Sequence, residues 1–256
     1  MAGKTSKGRA IVLRKTKLGE KDLIITFLDE SGSLRRGVAK GARKPGGSYA
    51  ARLELFTVAD VMFAEGRSLD IVTDAKRAFD AHETLVGLEQ TTCAAPIAEL
   101  ICYVAQEGLK HERLYEMTAL SFSTLARCER DACPPVTAAA LLKALSMAGF
   151  RPSFDTCIEC GSRIGYPLDE EKVALSYVDG GIVCASCGKP ADTVLTDART
   201  VEWARALLFS TFADIAVMDV GLENSFAVLH LVREWTRVHV GKTLKSLEFM
   251  FSSAIW

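Results

Sequence analysis

The stretch RAIVLRKTK (residues 9–17), the turn LGEKD (18–22) and the run LIITFLD (23–29) decide how the first third of the chain is read. Val, Ile, Leu and Phe follow the two-residue period of a strand here, and a polar connection containing Gly19 separates the runs. Three similar runs follow at 34–40, 52–64 and 68–79. Their connections are short at 30–33 and 65–67, the latter reading as a tight hairpin, whereas the Gly/Pro/Ser-rich loop at 41–49 is longer and holds Arg43 and Lys44. Five short strands in about 80 residues predict a small closed barrel. The OB-fold, a five-stranded barrel that binds oligonucleotides, fits this pattern, and an SH3-like barrel fits it nearly as well.

Beyond residue 80 the period becomes helical. Leu85, Leu88, Thr92 and Ala95 lead into a helix expected at 97–109, and further helices are expected at 113–128 and 136–148. Gly149, with Pro152 shortly after, is the stop signal for the third. Asp197 is an N-cap candidate for a helix over 198–212, and helices at 223–240 and 244–251 complete the chain. The whole reads as an α+β protein, a barrel followed by a helical region.

The eight cysteines divide into two groups. Cys93, Cys102, Cys128 and Cys133 lie in apolar helical sequence and read as small buried hydrophobes. Cys157 and Cys160, then Cys184 and Cys187, form two C-x2-C pairs with 23 residues between them. Each pair turns two thiolates onto one ion, Gly161 and Gly188 let the backbone fold around the sulfurs, and four thiolates complete a tetrahedron. A short hairpin from 173–177 and 181–183 makes the unit a zinc-ribbon-like element holding one structural Zn2+; iron in the same site or a redox dithiol are the alternatives.

A formal net charge of −1 hides an asymmetry: residues 1–52 hold 13 Lys/Arg and 4 Asp/Glu, whereas the rest hold 18 and 28. One end is suited to a polyanion. Arg14, Lys15, Lys17, Arg35, Arg36, Lys40, Arg43 and Lys44 are the candidate cations for a nucleic-acid backbone, with Tyr49 or Phe27 as candidates to stack a base. A merely solvated basic face is the bland alternative.

Other chemistries are not visible. Gly241-Lys242-Thr243 resembles the end of a phosphate loop, but Thr236 stands where its first glycine belongs. His82, His111, His230 and His239 form no ligand pairing, and no nucleophile elbow occurs. The apolar stretches are broken by Glu99, Asp214 and Asp219 before they reach the about 18 residues of a membrane span, and the polar N-terminus gives no secretory signal, so a cytosolic protein is expected.

Taken in order, several short segments resemble the bacterial RecO family of recombination mediators. They are AIVL (10–13), GEKD (19–22), the Gly32 turn, GVAKGAR (37–43), LELF (53–56), GFRP (149–152), CIECG (157–161) and GKTLKS (241–246). The resemblance implies an OB-fold over residues 1–80 and a helical domain over 81–256, with a zinc-binding element inserted at about 153–192. It also implies no enzymatic turnover. Such proteins bind single- and double-stranded DNA, anneal complementary strands, and work with RecR, and in some pathways RecF, to load RecA onto DNA coated by single-stranded-DNA-binding protein. The acidic, apolar C-terminal tail of that protein would dock on the helical domain, and a cytoplasmic, nucleoid-associated location follows. The rival reading is an RNA-binding barrel and zinc-ribbon protein of translation or transcription.

Overall fold

A computed structural model describes residues 5–44, 49, 52–78 and 85–256. The chain divides into two compact units, Met1–Arg127 and Cys128–Trp256. In the first, β1 (Thr5–Leu18), β2 (Asp22–Asp29), β3 (Leu34–Ala39), β4 (Val58–Ala64) and β5 (Asp70–Arg77) close a barrel in the order β1-β2-β3-β5-β4. All pairs are antiparallel except β3 with β5, joined at Gly37↔Asp70 and Val38↔Ile71. This is the OB arrangement, which decides between the two barrel types the sequence allowed. Inward residues of alternate positions fill the barrel: Val12, Ile25, Phe27, Val61 and Phe63 are all buried, and Phe27 meets Phe63 edge-on at 5.4 Å between centroids.

Residues 52–57, expected as the start of the fourth strand, turn instead. Thr57 N–H donates to the Glu54 carbonyl (3.4 Å), and Phe56 adopts φ +66°. Leu53 plugs the barrel core, and the Phe56 ring packs on Phe122 at 5.4 Å, so the apolar alternation here serves a corner rather than a strand. The fifth strand is shorter than expected, and its anticipated last residue, Phe79, lies outside the described residues, as do His82 and residues 45–48 of the 41–49 loop.

α1 (Leu88–Val104) packs on β1 and on α2 (Glu112–Arg127), which keeps both helices with the barrel. The β2–β3 turn holds their connection: His111 N–H donates to the Ser31 carbonyl (2.7 Å) and Gly108 N–H to Ser33 Oγ (2.8 Å). Gly32 sits at φ +81°, and a Cβ there would lie 2.0 Å from the His111 carbonyl oxygen, so only glycine permits this approach.

In the second unit, α3 (Cys133–Met147) is buried on nearly every side and packs against α4 (Ala198–Phe209), α5 (Phe212–Val217) and α6 (Leu222–His239); α7 (Lys245–Ser252) follows. α3 starts three residues earlier than expected because Pro134 and Pro135 occupy its first turn, where a missing N–H costs no hydrogen bond. The helix expected over 198–212 is split: Thr211 caps α5 by accepting from Asp214 N–H, while the Asp214 carboxylate accepts from Thr211 N–H. Between α3 and α4 lies a small sheet of β6 (Lys172–Ser176), β7 (Gly181–Val183) and β8 (Val194–Asp197), in the order β7-β6-β8. The hairpin was expected; β8, only four residues long, was not. Among the described residues no helix is long and apolar enough to cross a membrane.

Candidate metal centre and nucleic-acid interface

Two turns bring the paired cysteines together. The first follows α3, where Gly161 N–H donates to the Cys157 carbonyl (2.9 Å); the second follows β7, where Cys187 N–H donates to the Cys184 carbonyl (3.0 Å). Gly161 and Gly188 have φ of +71° and +79°, the left-handed backbone that lets each turn close behind its second sulfur. All four Sγ atoms lie within 4.8 Å of one another, with Cys157–Cys187 at 4.0 Å and Cys160–Cys184 at 3.7 Å. Four thiolates around an ion with metal–sulfur bonds of about 2.3 Å would stand about 3.8 Å apart, so the set fits one tetrahedral ion. These distances are too long for disulfides, and the four cysteines are free.

The surroundings supply donors to sulfur. Cys184 N–H points at Cys157 Sγ (3.3 Å). Burial raises the Cys157 thiol, but amide donors from Cys160, Cys184 and Glu159 outweigh it and bring the group below the ordinary thiol value. Ser162, through its hydroxyl and then its amide, holds Cys160 down to about 6, while hydrogen bonds with Cys160 and Cys184 push Cys187 up to about 12. The element is anchored to the helices by Trp235, whose Nε1 donates to the Phe150 carbonyl (2.8 Å) and whose ring packs against Phe154 and Tyr177. Arg205 adds an ion pair to Asp155 at 2.6 Å.

The scattered cysteines are only in part the buried hydrophobes expected. Cys93 and Cys133 are buried, Cys102 and Cys128 are half-buried, and Cys128 and Cys133 approach to 3.6 Å between sulfurs. Burial holds the Cys102 thiol up at about 11.

On the barrel, strand register sorts the eight cations. Arg14 pairs with Thr26 and Thr26 with Arg36, placing both arginines in one row across three strands. Lys17 pairs with Leu23 and Leu23 with Ala39, so Lys17, Lys21 and Lys40 cluster at one end of the barrel. The loop that follows β3 is stitched to the β1–β2 turn there: Arg43 N–H donates to the Lys21 carbonyl (3.0 Å) and its guanidinium to the Gly19 carbonyl (2.8 Å). Asp22 accepts from Gly41 N–H at 2.7 Å, which fixes the same corner. Lys17, Lys21, Lys40, Arg43 and Lys44 are all exposed on it.

Two of the expected cations are engaged inside the unit. Arg35 is ion-paired to Asp70 (2.6 Å), donates to Ser6 Oγ (2.8 Å) and lies over the Phe63 ring at 3.8 Å. Lys15 pairs with Glu54 at 3.3 Å. Arg36 faces Glu107 at 3.6 Å, but its side chain stays 57% exposed. Of the two aromatic candidates, Phe27 is core, and Tyr49 is half-buried against the barrel with its hydroxyl donating to the Val72 carbonyl at 3.2 Å. Lys21 was missed in the sequence because it stands in a turn, and only the register shows which strand end that turn joins.

With a five-stranded OB barrel and a four-cysteine cluster in place, the comparison with known proteins is specific. Residues 1–78 match the family described as Recombination protein O N terminal, and residues 87–248 match Recombination protein O C terminal. The chain belongs to the RecO family. Relatives named DNA repair protein RecO include that of Bifidobacterium longum (strain NCC 2705), 31% identical over 252 residues, covering 96% of this chain and 98% of the relative. The protein of that name from Cutibacterium acnes is 28% identical over 254 residues, covering 96% and 98%. The one from Gloeobacter violaceus is 32% identical over 187 residues, covering 73% and 70%. The RecO match takes in both the barrel and the cysteine cluster, and the four thiols stand close enough to hold one metal ion.

Proposed function

We propose that this RecO-family chain is a cytoplasmic, nucleoid-associated DNA repair and recombination mediator that binds single- and double-stranded DNA without reading sequence. The observation that carries the proposal is the cluster of Lys17, Lys21, Lys40, Arg43 and Lys44 on one end of an OB barrel. Side chains of this kind neutralise phosphates and release counterions, which gives affinity independent of sequence, as a protein acting at gaps and breaks requires. Arg14 and Arg36 extend the track along the side of the barrel, whereas Arg35 and Lys15 support it from within.

A dense cationic surface also screens two polyanionic strands from one another, so annealing of complementary strands belongs to the same reading. The barrel of residues 1–80 is the nucleic-acid domain in this scheme, and the helical region of 81–256 is the platform for partners. Those partners are RecR, the tail of the single-stranded-DNA-binding protein and, in some pathways, RecF, with loading of RecA as the outcome. Cys157, Cys160, Cys184 and Cys187 would hold one Zn2+, whose role is to link two distant turns into a folded element, with no open ligand position for catalysis. The chain is read as non-enzymatic.

The test is annealing of two complementary oligonucleotides pre-coated with single-stranded-DNA-binding protein, at two salt concentrations and without nucleotide. Acceleration that weakens with salt supports the reading. No acceleration at either salt by folded, metal-loaded protein refutes it, and a preference for RNA over DNA of equal length would point to the RNA-binding alternative.

A further inference from the structure

Where β1 passes α1, a cleft of about 240 Å³ opens beside the Arg14–Thr26–Arg36 row. Leu55, Phe56 and Ala95 contribute apolar wall; Arg14 and Lys15 line it from β1, and Glu99, Cys102 and Tyr103 from α1, with the Tyr103 hydroxyl donating to Glu99 Oε1 at 3.4 Å. The cleft is preformed. Phe56, a non-glycine residue at φ +66°, is held there by its N–H bond to the Val12 carbonyl (2.8 Å) and by its ring contact with Phe122 at 5.4 Å. Strained backbone of this kind persists only where its surroundings fix it, and it concentrates at binding sites. The adjacent Leu55 is left 38% exposed.

The chemistry of the walls narrows the occupant. The volume is below the roughly 300–1,000 Å³ of sites for drug-sized ligands, so it suits a single ring system. A nucleobase has apolar faces for the Leu55–Phe56 wall, an edge whose amino or imino N–H can donate to the Glu99 carboxylate or the Tyr103 hydroxyl, and a phosphate on either side. Arg14 belongs both to the cleft and to the basic row, so a strand following that row carries a phosphate past the opening. We propose that this cleft receives one unstacked base of a bound single strand. The proposal rests on the nucleic-acid-binding reading above. Bases in a duplex are stacked and paired, so the cleft serves single strands only and anchors one strand while its neighbours stay open for pairing.

The test measures binding of a single-stranded oligonucleotide and of an abasic strand of equal length and charge, by fluorescence anisotropy on the full chain. Wild type is expected to hold the base-bearing strand at least about fivefold tighter. Ala95→Leu, which fills the cleft, should bring the two affinities together while leaving the salt dependence unchanged. Leu55→Ser, at an exposed position, tests the same wall without altering the core. A 2-aminopurine in the strand should change emission on binding wild type but not Ala95→Leu. Equal binding of both strands by wild type, or discrimination that survives both substitutions, overturns the proposal while leaving phosphate binding intact. Displacement from the cleft by an acidic, apolar peptide with no base discrimination would assign it to a protein partner instead. Failure of wild type to bind either strand would refute the nucleic-acid reading itself.

Discussion

Replacing Lys17, Lys40 and Lys44 together by alanine removes three exposed cations from the barrel end where β1, the β1–β2 turn and the loop after β3 converge. None lies in the barrel core, so folding should be unaffected. For a single strand, log K falls with log salt at a slope of about −0.7 per phosphate neutralised, so three lost contacts should make the slope shallower by about 2. Raising salt from about 50 to 200 mM would then cost the variant about twentyfold less affinity than it costs wild type. Anisotropy titrations at four salt concentrations measure both slopes. The control is Arg35→Ala. Because Arg35 is committed to Asp70, Ser6 and the Phe63 ring, its loss should lower stability by about 1–3 kcal/mol and leave the salt slope unchanged. An unchanged slope in the triple variant, or an equal drop in slope in Arg35→Ala, would refute the placement of the DNA face on this corner.

Three further outcomes follow from other parts of the chain. Chelation, or replacement of Cys157 and Cys160 by serine, should expose the segment around 155–190 to protease, and atomic absorption should find one zinc per chain; equal resistance with and without chelator would count against a structural ion. Gly32→Ala places a Cβ on the His111 carbonyl at a positive φ, and should lower the urea-unfolding free energy by more than about 2 kcal/mol; a near-neutral effect would contradict the close approach. His230, stacked on Phe251 at 4.0 Å, has its pKa lowered by burial and then by Arg233, so the unfolded chain binds its proton first as pH falls. Stability is therefore lost as pH drops from the unfolded value of about 6.5 toward the lower folded one, and His230→Phe should flatten that part of the urea-midpoint profile between pH 8 and pH 5. An identical profile in the variant would show that His230 does not contribute.

Local rules account for much of this protein. Strand positions 9–17 and 23–29, the Gly149 stop, and the C-x2-C spacing are each set by contacts within a few residues, so periodicity and turn chemistry expose them. The same rules misread 52–57, because a corner that plugs a barrel with Leu53 and sets Phe56 on Phe122 needs apolar residues at the same places as a strand. They also missed β8, whose four residues are ordered by pairing with β6 rather than by their own propensity. The four-cysteine cluster was legible because cysteine has few reasons to be paired twice at that spacing. The cations were legible as a group, but not in their individual roles: charge is visible in the sequence, whereas availability depends on what folds against it. Arg35 and Arg36 are neighbours, yet the pleat turns one onto Asp70 and Phe63 and leaves the other on the outer row with Arg14. Sequence alone thus determined the chemistry carried by each end of the chain, and tertiary structure decided which residues present it, because pairing register and loop contacts join positions that lie far apart along the backbone.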